Sequence, residues 1–450
     1  MHKQINEQVF KKYELFLKSN VDNVDLSEVF EVILNSEANV SLRINPNKRT
    51  ILDFPVQDYV PWSKYGIFLS ERPNFAWNPL FHAGAFYVQE SHSMLLEHVL
   101  SFVDHNHFER VLDLCASPGG KSTHLLSLLS KDCLLVSNEM NKQRNSVLVE
   151  NLSKWGHENV VVTQNDPAHF TSLDGFFDLI LVDAPCSGEG LFRKDPDALN
   201  EWSEENVLMC QKRQKRIVED IWPCVSEGGY LIYSTCTLNT KENEENIQWF
   251  KNELNAEVIS IPVEASWNMI DTGFGIKCFP GKQYGEGFFI SLLKKNSGET
   301  FNMHNRKPQL KCPVEELKSK FKSSVDLAFL KQDDFLLAYP QLHHNAFEVM
   351  RQKLYVKKLG VTLGQVKNKD FVYGHEFAVS NMINVEDFKV IDIDLENALK
   401  FLRKSDLDFE LISGKQGLYL LRYQEVNLGF LKCMLNRANN LYPMDWRLRI

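Results

Sequence analysis

Val111-Leu112-Asp113-Leu114-Cys115-Ala116-Ser117-Pro118-Gly119-Gly120-Lys121-Ser122-Thr123 passes from a short apolar run through a glycine turn into a polar segment with helical spacing. This order predicts a strand, a tight turn and a helix running from Lys121 to about Leu129. Glycine lets a backbone approach a ligand closely, and a helix N-terminus offers free N–H groups. Such a turn suits a ligand with adenosine or anionic groups. The segment Gly119-Gly120-Lys121-Ser122 also looks like a phosphate-binding loop, but that loop needs a glycine where Cys115 stands. The dinucleotide pattern G-x-G-x-x-G is absent as well. A turn that binds nothing is the remaining alternative.

The pattern repeats downstream. Strands are expected at Cys133 to Ser137, Asn159 to Thr163, Phe177 to Val182 and Gly229 to Ser234. Helices are expected at Asn141 to Trp155, Glu204 to Val225 and Lys241 to Leu254, with a last strand at Phe288 to Leu293. Alternating strands and helices imply an α/β fold built on a doubly wound, mostly parallel sheet. Glu139 follows the second strand, where such sheets hold a ribose about 20 residues past the glycine turn. It would otherwise be a carboxylate favoured by the dipole at a helix start. Asp166 follows the third strand, where the adenine end should lie, or simply makes a turn with Pro167. Three matched strand ends favour an adenosine cofactor such as S-adenosylmethionine.

Two cysteines fall at carboxyl ends of strands, the edge where such sheets bind ligands. One is in Asp183-Ala184-Pro185-Cys186-Ser187-Gly188, the other in Ser234-Thr235-Cys236-Thr237. Beside a methyl donor a thiolate has a specific use. C5 of a pyrimidine is a poor nucleophile, and thiolate addition at C6 makes it an enamine-like one. Asp183 is placed to hydrogen-bond the N3/N4 edge of the ring, and a second thiol could assist loss of the C5 proton. The other seven cysteines (115, 133, 210, 224, 278, 312 and 433) are expected to be small hydrophobes or incidental thiols. No Cys/His cluster has metal-ligand spacing, so no metal is expected.

These motifs, in this order, resemble the Nol1/Nop2/Sun family of RNA cytosine-5 methyltransferases over about residues 35–295. Arg43-Ile44-Asn45-Pro46 and Gly84-Ala85-Phe86-Tyr87-Val88-Gln89-Glu90 add to the resemblance. Glu189-Gly190-Leu191-Phe192-Arg193-Lys194-Asp195-Pro196 and Glu286-Gly287-Phe288-Phe289 are similar to the version acting on bacterial 16S rRNA of the small ribosomal subunit. The sequence departs from the family after Glu90, where Ser91-His92-Ser93 replaces the usual proline and small residue. The resemblance implies a Rossmann-like S-adenosylmethionine-dependent methyltransferase fold and RNA as partner. It implies that Cys236 is the nucleophile and that Cys186 helps release the product. It further implies that Asp183 contacts cytosine, and that Cys115, Ala116, Ser117, Pro118, Gly119, Gly120, Lys121, Glu139, Asp166 and Asp183 surround the cofactor. A tRNA cytosine-5 methyltransferase, and an RNA-binding ribosome assembly factor with secondary catalysis, are the alternative functions.

The rest of the 450 residues is expected to divide into an N-terminal α+β extension (1–100), the methyltransferase domain (101–295), a polar linker (296–310) and a C-terminal region (311–450). Val9, Phe10, Tyr13, Phe16 and Leu17 recur at helical spacing, and residues 53–90 suggest turns and short strands. The end of the chain, Leu428 to Lys432 through Tyr442-Pro443, is similar to the PUA-like α+β RNA-binding module of the bacterial enzymes. Lys353, Lys357 and Lys358, with Tyr355 interleaved, suit phosphate contact and base stacking.

Composition bounds the rest. Charged residues are 24% and hydrophobic ones 44%, an ordinary globular mix that excludes disorder of the whole chain. Nine cysteines are too dilute for a disulfide scaffold. No apolar run approaches the ~18–20 residues of a membrane-spanning helix. The start does not resemble a secretory signal, so a cytoplasmic protein with reduced thiols is expected. The net charge of −9 requires any RNA affinity to be concentrated on one face.

Overall fold

The computed structural model describes residues 6–21, 24–48, 52–281, 284–303, 314–322, 326–367, 370–435 and 437–449. The end of the expected linker (304–310) and Cys312 lie outside them.

The central strands are β1 (Arg110–Asp113), β2 (Leu134–Asn138), β3 (Val160–Thr163), β4 (Phe177–Asp183), β5 (Val225–Thr235), β6 (Phe288–Lys294) and β7 (Val356–Leu359). The helices between them are α1 (Gly120–Leu128), α2 (Lys142–Trp155), α3 (Glu204–Ile221) and α4 (Glu244–Glu253). The strands lie in the order β6-β5-β4-β1-β2-β3-β7. β1 to β5 are parallel, whereas β6 runs antiparallel to β5 and β7 antiparallel to β3. The α/β, mostly parallel sheet read from the sequence is therefore the fold. From β1 the chain winds outward to β3, then returns to β4 on the other side of β1. This reversal opens a crevice at the carboxyl ends of β1 and β4, where open α/β sheets take ligands.

The sheet forms because its central strands are apolar on both faces, as parallel strands covered by helices must be. Leu112, Val136, Ile180 and Val182 belong to the cluster on one face, and Val111, Leu135, Leu179 and Leu181 to that on the other. Element ends differ by a few residues from expectation. α3 stops at Ile221, not Val225, because the chain tightens into a short helix at Trp222–Cys224 containing Pro223 and then enters β5. α4 starts at Glu244, not Lys241.

The N-terminal part has helices at Glu7–Asn20 and Ser27–Asn35 and a four-stranded antiparallel sheet. Two further four-stranded sheets follow residue 326. The residues after the linker do not form an isolated body. β7 extends the central sheet, and Phe347, Met350 and Leu354 join its core. Phe401, Leu421 and Leu431 share a cluster with Val40, Leu42 and Phe86 of the N-terminal sheet. No described helix is long and apolar enough to cross a membrane.

Candidate active site

The turn after β1 is fixed by hydrogen bonds to β2 and α2. Ala116 N–H donates to Asn138 O (2.8 Å), and Ser117 Oγ donates to Arg144 O (2.9 Å). Arg144 donates back to Ser117 O (2.9 Å), and Asn151 Nδ2 donates to Pro118 O (2.8 Å). Gly119, at φ +112°, supplies the left-handed residue that starts α1. The first-turn N–H groups of α1 are left without helical partners, as at any helix start. Below them Asp113 is fully buried and accepts from Ser122 Oγ (2.6 Å), which receives Ser137 Oγ (2.9 Å). Burial pushes the Asp113 carboxyl up to about 7, against the Ser122 hydrogen bond. Its other oxygen is buried without a partner. Burial also pushes the Cys115 thiol well above its usual range.

Glu139 sits at the end of β2, 6% exposed, accepting from Asn141 N–H (2.8 Å) with Arg144 at 3.5 Å. Asp166, after β3, caps the short helix at Pro167–Ser172 and faces Arg216 of α3 at 3.4 Å. The structure thus brings the β1 turn, Glu139 and Asp166 to one edge of the sheet. A left-handed glycine, free helix N–H groups, an orphaned buried carboxyl oxygen and an acidic strand end make a donor and acceptor set that fits S-adenosylmethionine.

The two expected cysteines lie on adjacent strand ends. Cys186 follows β4, Cys236 follows β5, and their Sγ atoms are 3.1 Å apart as free thiols. The contact with Cys236, reinforced by burial, pushes the Cys186 thiol well up. Asp183 ends β4. Its Oδ1 accepts from Ser234 Oγ (2.8 Å) and its Oδ2 pairs with Lys121 Nζ (2.8 Å). Burial pulls Lys121 down, but Asp183, with Asp113 and Cys236 adding, outweighs it and holds the ammonium above its ordinary value. Lys121 Nζ also lies 5.2 Å from the centre of the Phe288 ring. A cation, a carboxylate and two thiols therefore share the mouth of the crevice.

Behind the thiols is a buried polar network that sequence reasoning missed. Glu189, fully buried, accepts from Leu238 N–H (2.9 Å), Asn239 N–H (3.0 Å), Asn239 Nδ2 (2.9 Å) and Trp202 Nε1 (3.2 Å). Glu242, also fully buried, accepts from Ser187 N–H (3.1 Å), Gln214 Nε2 (2.7 Å) and Asn239 Nδ2 (3.0 Å). Burial, with Glu189 nearby, pushes the Glu242 carboxyl up to about 7. Gly190 N–H donates to Cys236 O (2.8 Å), and a Cβ on Gly190 would stand 2.2 Å from Gly287 O. One signal for this network was present. Gln214 stands among Cys210, Ile217, Val218 and Ile221 on the buried face of α3, where an apolar residue fits the pattern.

The lysine cluster needs correction. Lys358 is buried, pairs with Glu376 and donates to Gly360 O, so it has no free ammonium for phosphate. Its place in β7 turned it inward, away from Lys357. Lys353 Nζ donates to Ser172 O (2.5 Å), and Lys357 Nζ lies 4.7 Å from the centre of the exposed Tyr355 ring. No group of three or more His, Cys, Asp or Glu among the described residues could hold a metal ion.

The family described as 16S rRNA methyltransferase RsmB/F matches residues 99–294. The N-terminal domain of 16S rRNA methyltransferase RsmF matches residues 5–91, and the methyltransferase RsmF PUA domain matches 388–448. The ribosomal RNA small subunit methyltransferase F of Klebsiella pneumoniae (strain 342) is 31% identical over 437 residues, covering 90% of this chain and 89% of that protein. The chain belongs to the RsmF family. The protein of the same name from Vibrio vulnificus (strain YJ016) is 30% identical over 409 residues, 86% of this chain and 84% of the relative. Among solved structures, a methyltransferase homologue from Pyrococcus horikoshii is 28% identical with a TM-score of 0.53, over 63% of this chain and 95% of that one. NSun6 from the same organism, 17% identical over 66% of this chain and all of its own, shares the fold (TM-score 0.52). The three matched segments cover the N-terminal part, the methyltransferase sheet and the PUA domain near the end of the chain.

Proposed function

We propose that this member of the RsmF family methylates C5 of cytosine in 16S rRNA of the small ribosomal subunit, in a bacterial cytoplasm, with S-adenosylmethionine as donor. The observation that carries the chemistry is the pair of free thiols 3.1 Å apart beside the Lys121–Asp183 ion pair. The similarity to the small-subunit methyltransferases F carries the substrate class.

The β1 turn, Glu139 and Asp166 would hold the cofactor, which supplies an electrophilic methyl group when bound. Cys236, as thiolate, forms a bond to C6 of the cytosine, and the displaced ring electrons raise the nucleophilicity of C5. Asp183, paired with Lys121, accepts a hydrogen bond from the exocyclic amine and fixes the ring over the thiol. After methylation the C5 proton passes to water, its bonding electrons re-form the C5–C6 double bond, and the Sγ–C6 bond breaks with its electron pair returning to Cys236 as thiolate. Cys186, at the back of Cys236, assists this elimination. The exposed Tyr355 and Lys357, and the PUA domain, offer surfaces for RNA.

The test is transfer from labelled S-adenosylmethionine to unmodified small subunits and to tRNA, followed by base mapping. Label at C5 of cytosine in 16S rRNA is expected, and label in tRNA alone would overturn the substrate. Cys236→Ala should transfer no methyl. Cys186→Ala should instead accumulate a protein–RNA adduct that survives a denaturing gel. Absence of that band would remove Cys186 from the release step.

A further inference from the structure

The residues on either side of each cysteine are held by a different set of buried side chains. Gln214 Nε2 donates both to Pro185 O (3.0 Å) and to Glu242 Oε2 (2.7 Å), and the same Glu242 oxygen accepts from Ser187 N–H (3.1 Å). Residues 185 and 187 flank Cys186, so Gln214 and Glu242 together clamp that thiol's peptide units. Gln214 is itself oriented by Asn246, whose Nδ2 donates to its Oε1 at 2.8 Å.

Asn243 does the same for Cys236. Its Oδ1 accepts from Thr235 Oγ1 (2.6 Å), and its Nδ2 donates to Thr237 O (3.0 Å). Asn243 stands at the N-cap of α4, where an asparagine side chain ordinarily accepts from the first-turn N–H groups. Here it makes no cap bond and spans the two neighbours of Cys236 instead. Gln214, Glu242 and Asn243 are all fully buried, so neither substrate nor solvent reaches them. Burying three polar side chains is costly unless their bonds are made, and these bonds end on the cysteine loops.

We propose that Gln214 and Asn243 are positioning residues with separate duties, Asn243 setting Cys236 for attack and Gln214, through Glu242, setting Cys186 for release. This rests on the roles given to the two thiols above. The two loops touch through Ser187 Oγ and Thr237 Oγ1 (3.0 Å), but each thiol has its own clamp, and loss of either clamp stalls a different step.

The experiment compares Asn243→Asp and Gln214→Glu, which keep side-chain shape but replace the donating amide with an acceptor. Cys236→Ala and Cys186→Ala are run beside them in the full-length protein, with small subunits and labelled S-adenosylmethionine. Asn243→Asp should lose kcat on the order of 100-fold, the scale of a misplaced reacting group, with KM for RNA unchanged and no adduct band. Gln214→Glu should retain the first methyl transfer, lose steady-state turnover, and accumulate the adduct. Asn243→Ser and Gln214→Met, which add no charge, repeat the comparison if melting or cofactor affinity shows that the first pair is misfolded. Adduct and turnover that change in parallel in the Asn243 and Gln214 variants, or that stay at wild-type levels, overturn the separate duties. If Cys236→Ala and Cys186→Ala themselves do not differ in adduct formation, the thiol roles fail first.

Discussion

Arg193 and Glu286 form a fully hydrogen-bonded ion pair with almost no exposure, 4% and 3%. Arg193 Nε and Nη2 meet the carboxylate at 2.8–3.1 Å, and Nη2 also donates to Gly285 O (3.1 Å). The pair ties the segment after Cys186 to the entry of β6. Truncation of the arginine leaves a buried carboxylate with Lys194 Nζ at 3.8 Å. Arg193→Ala should therefore destabilise the protein by roughly 3 kcal/mol, the lower end for breaking a buried pair, read from urea denaturation. A loss below about 1 kcal/mol would mean that Lys194 takes over the pair. Glu189, Arg193 and Glu286 were visible in the sequence as parts of motifs, yet their burial and partners were not. Motif spacing identifies which residues travel together; it does not say which face inward. Lys358 failed for the same reason, since either lysine of Val356-Lys357-Lys358-Leu359 reads alike whether its ammonium meets solvent or a buried carboxylate such as Glu376.

At the scale of elements, α1 is held from outside the central sheet. Arg43 of the N-terminal strand Val40–Ile44 is fully buried, with Nη2 donating to Thr123 Oγ1 (2.6 Å) and Gly120 O (3.1 Å) on α1. Its Nη1 reaches Ser127 Oγ (3.1 Å), its Nε donates to Gln89 Oε1 (2.8 Å), and its guanidinium lies 4.7 Å from the centre of the Trp155 ring on α2. Burial lowers it to about 9, which still leaves it charged at neutral pH. Arg43→Met keeps the stem and removes the donors that register α1 against the N-terminal sheet. Cofactor affinity should weaken about tenfold in a calorimetric titration, equivalent to losing one charged hydrogen bond. An unchanged Kd would show that the sheet alone sets the β1 turn. The order of the strands and helices was legible because apolar runs and 3.6-residue spacing are local properties. Pairing of β7 with β3 was not, because the contact joins residues nearly 200 apart and leaves no local pattern.

The whole molecule meets at a junction of its three parts, and that junction is rich in buried bases. His375, from the C-terminal region, packs its ring against Tyr442 (4.8 Å) and Trp446 (5.4 Å), and neither ring nitrogen has a partner. Lys154 of α2 lies 5.5 Å from the centre of the Trp446 ring, and Lys48 of the N-terminal part donates to Ala83 O (2.5 Å) and Lys154 O. Burial, then Lys154, Lys48 and Lys404, push His375 down to about 3. Burial first, then lysines, puts His82 and His157 at about 4, and Lys48 falls to about 7. A base whose folded pKa is depressed contributes its stability in full above the unfolded value, and that stability is lost as pH falls toward the folded one. The histidines therefore weaken the junction between pH 6.5 and about 4, and Lys48 acts in the same direction from about 10.5 down to 7. Asp113 and Glu242, both raised to about 7 beneath the edge that carries the two thiols, have the opposite sign and firm the central sheet on acidification. Acid should thus open the molecule at one place. Hydrogen exchange at pH 5, corrected for intrinsic rates, should show faster exchange at 375–379 and 442–446 than at pH 7.5, with β1, β4 and β5 still protected. His375→Leu, of similar volume and without a proton to take up, should reduce that difference. Uniform loss of protection across the sheet and the junction would mean that the three parts unfold as one unit, held by the shared clusters of Phe401 with Leu42 and of Phe347 with Ile180.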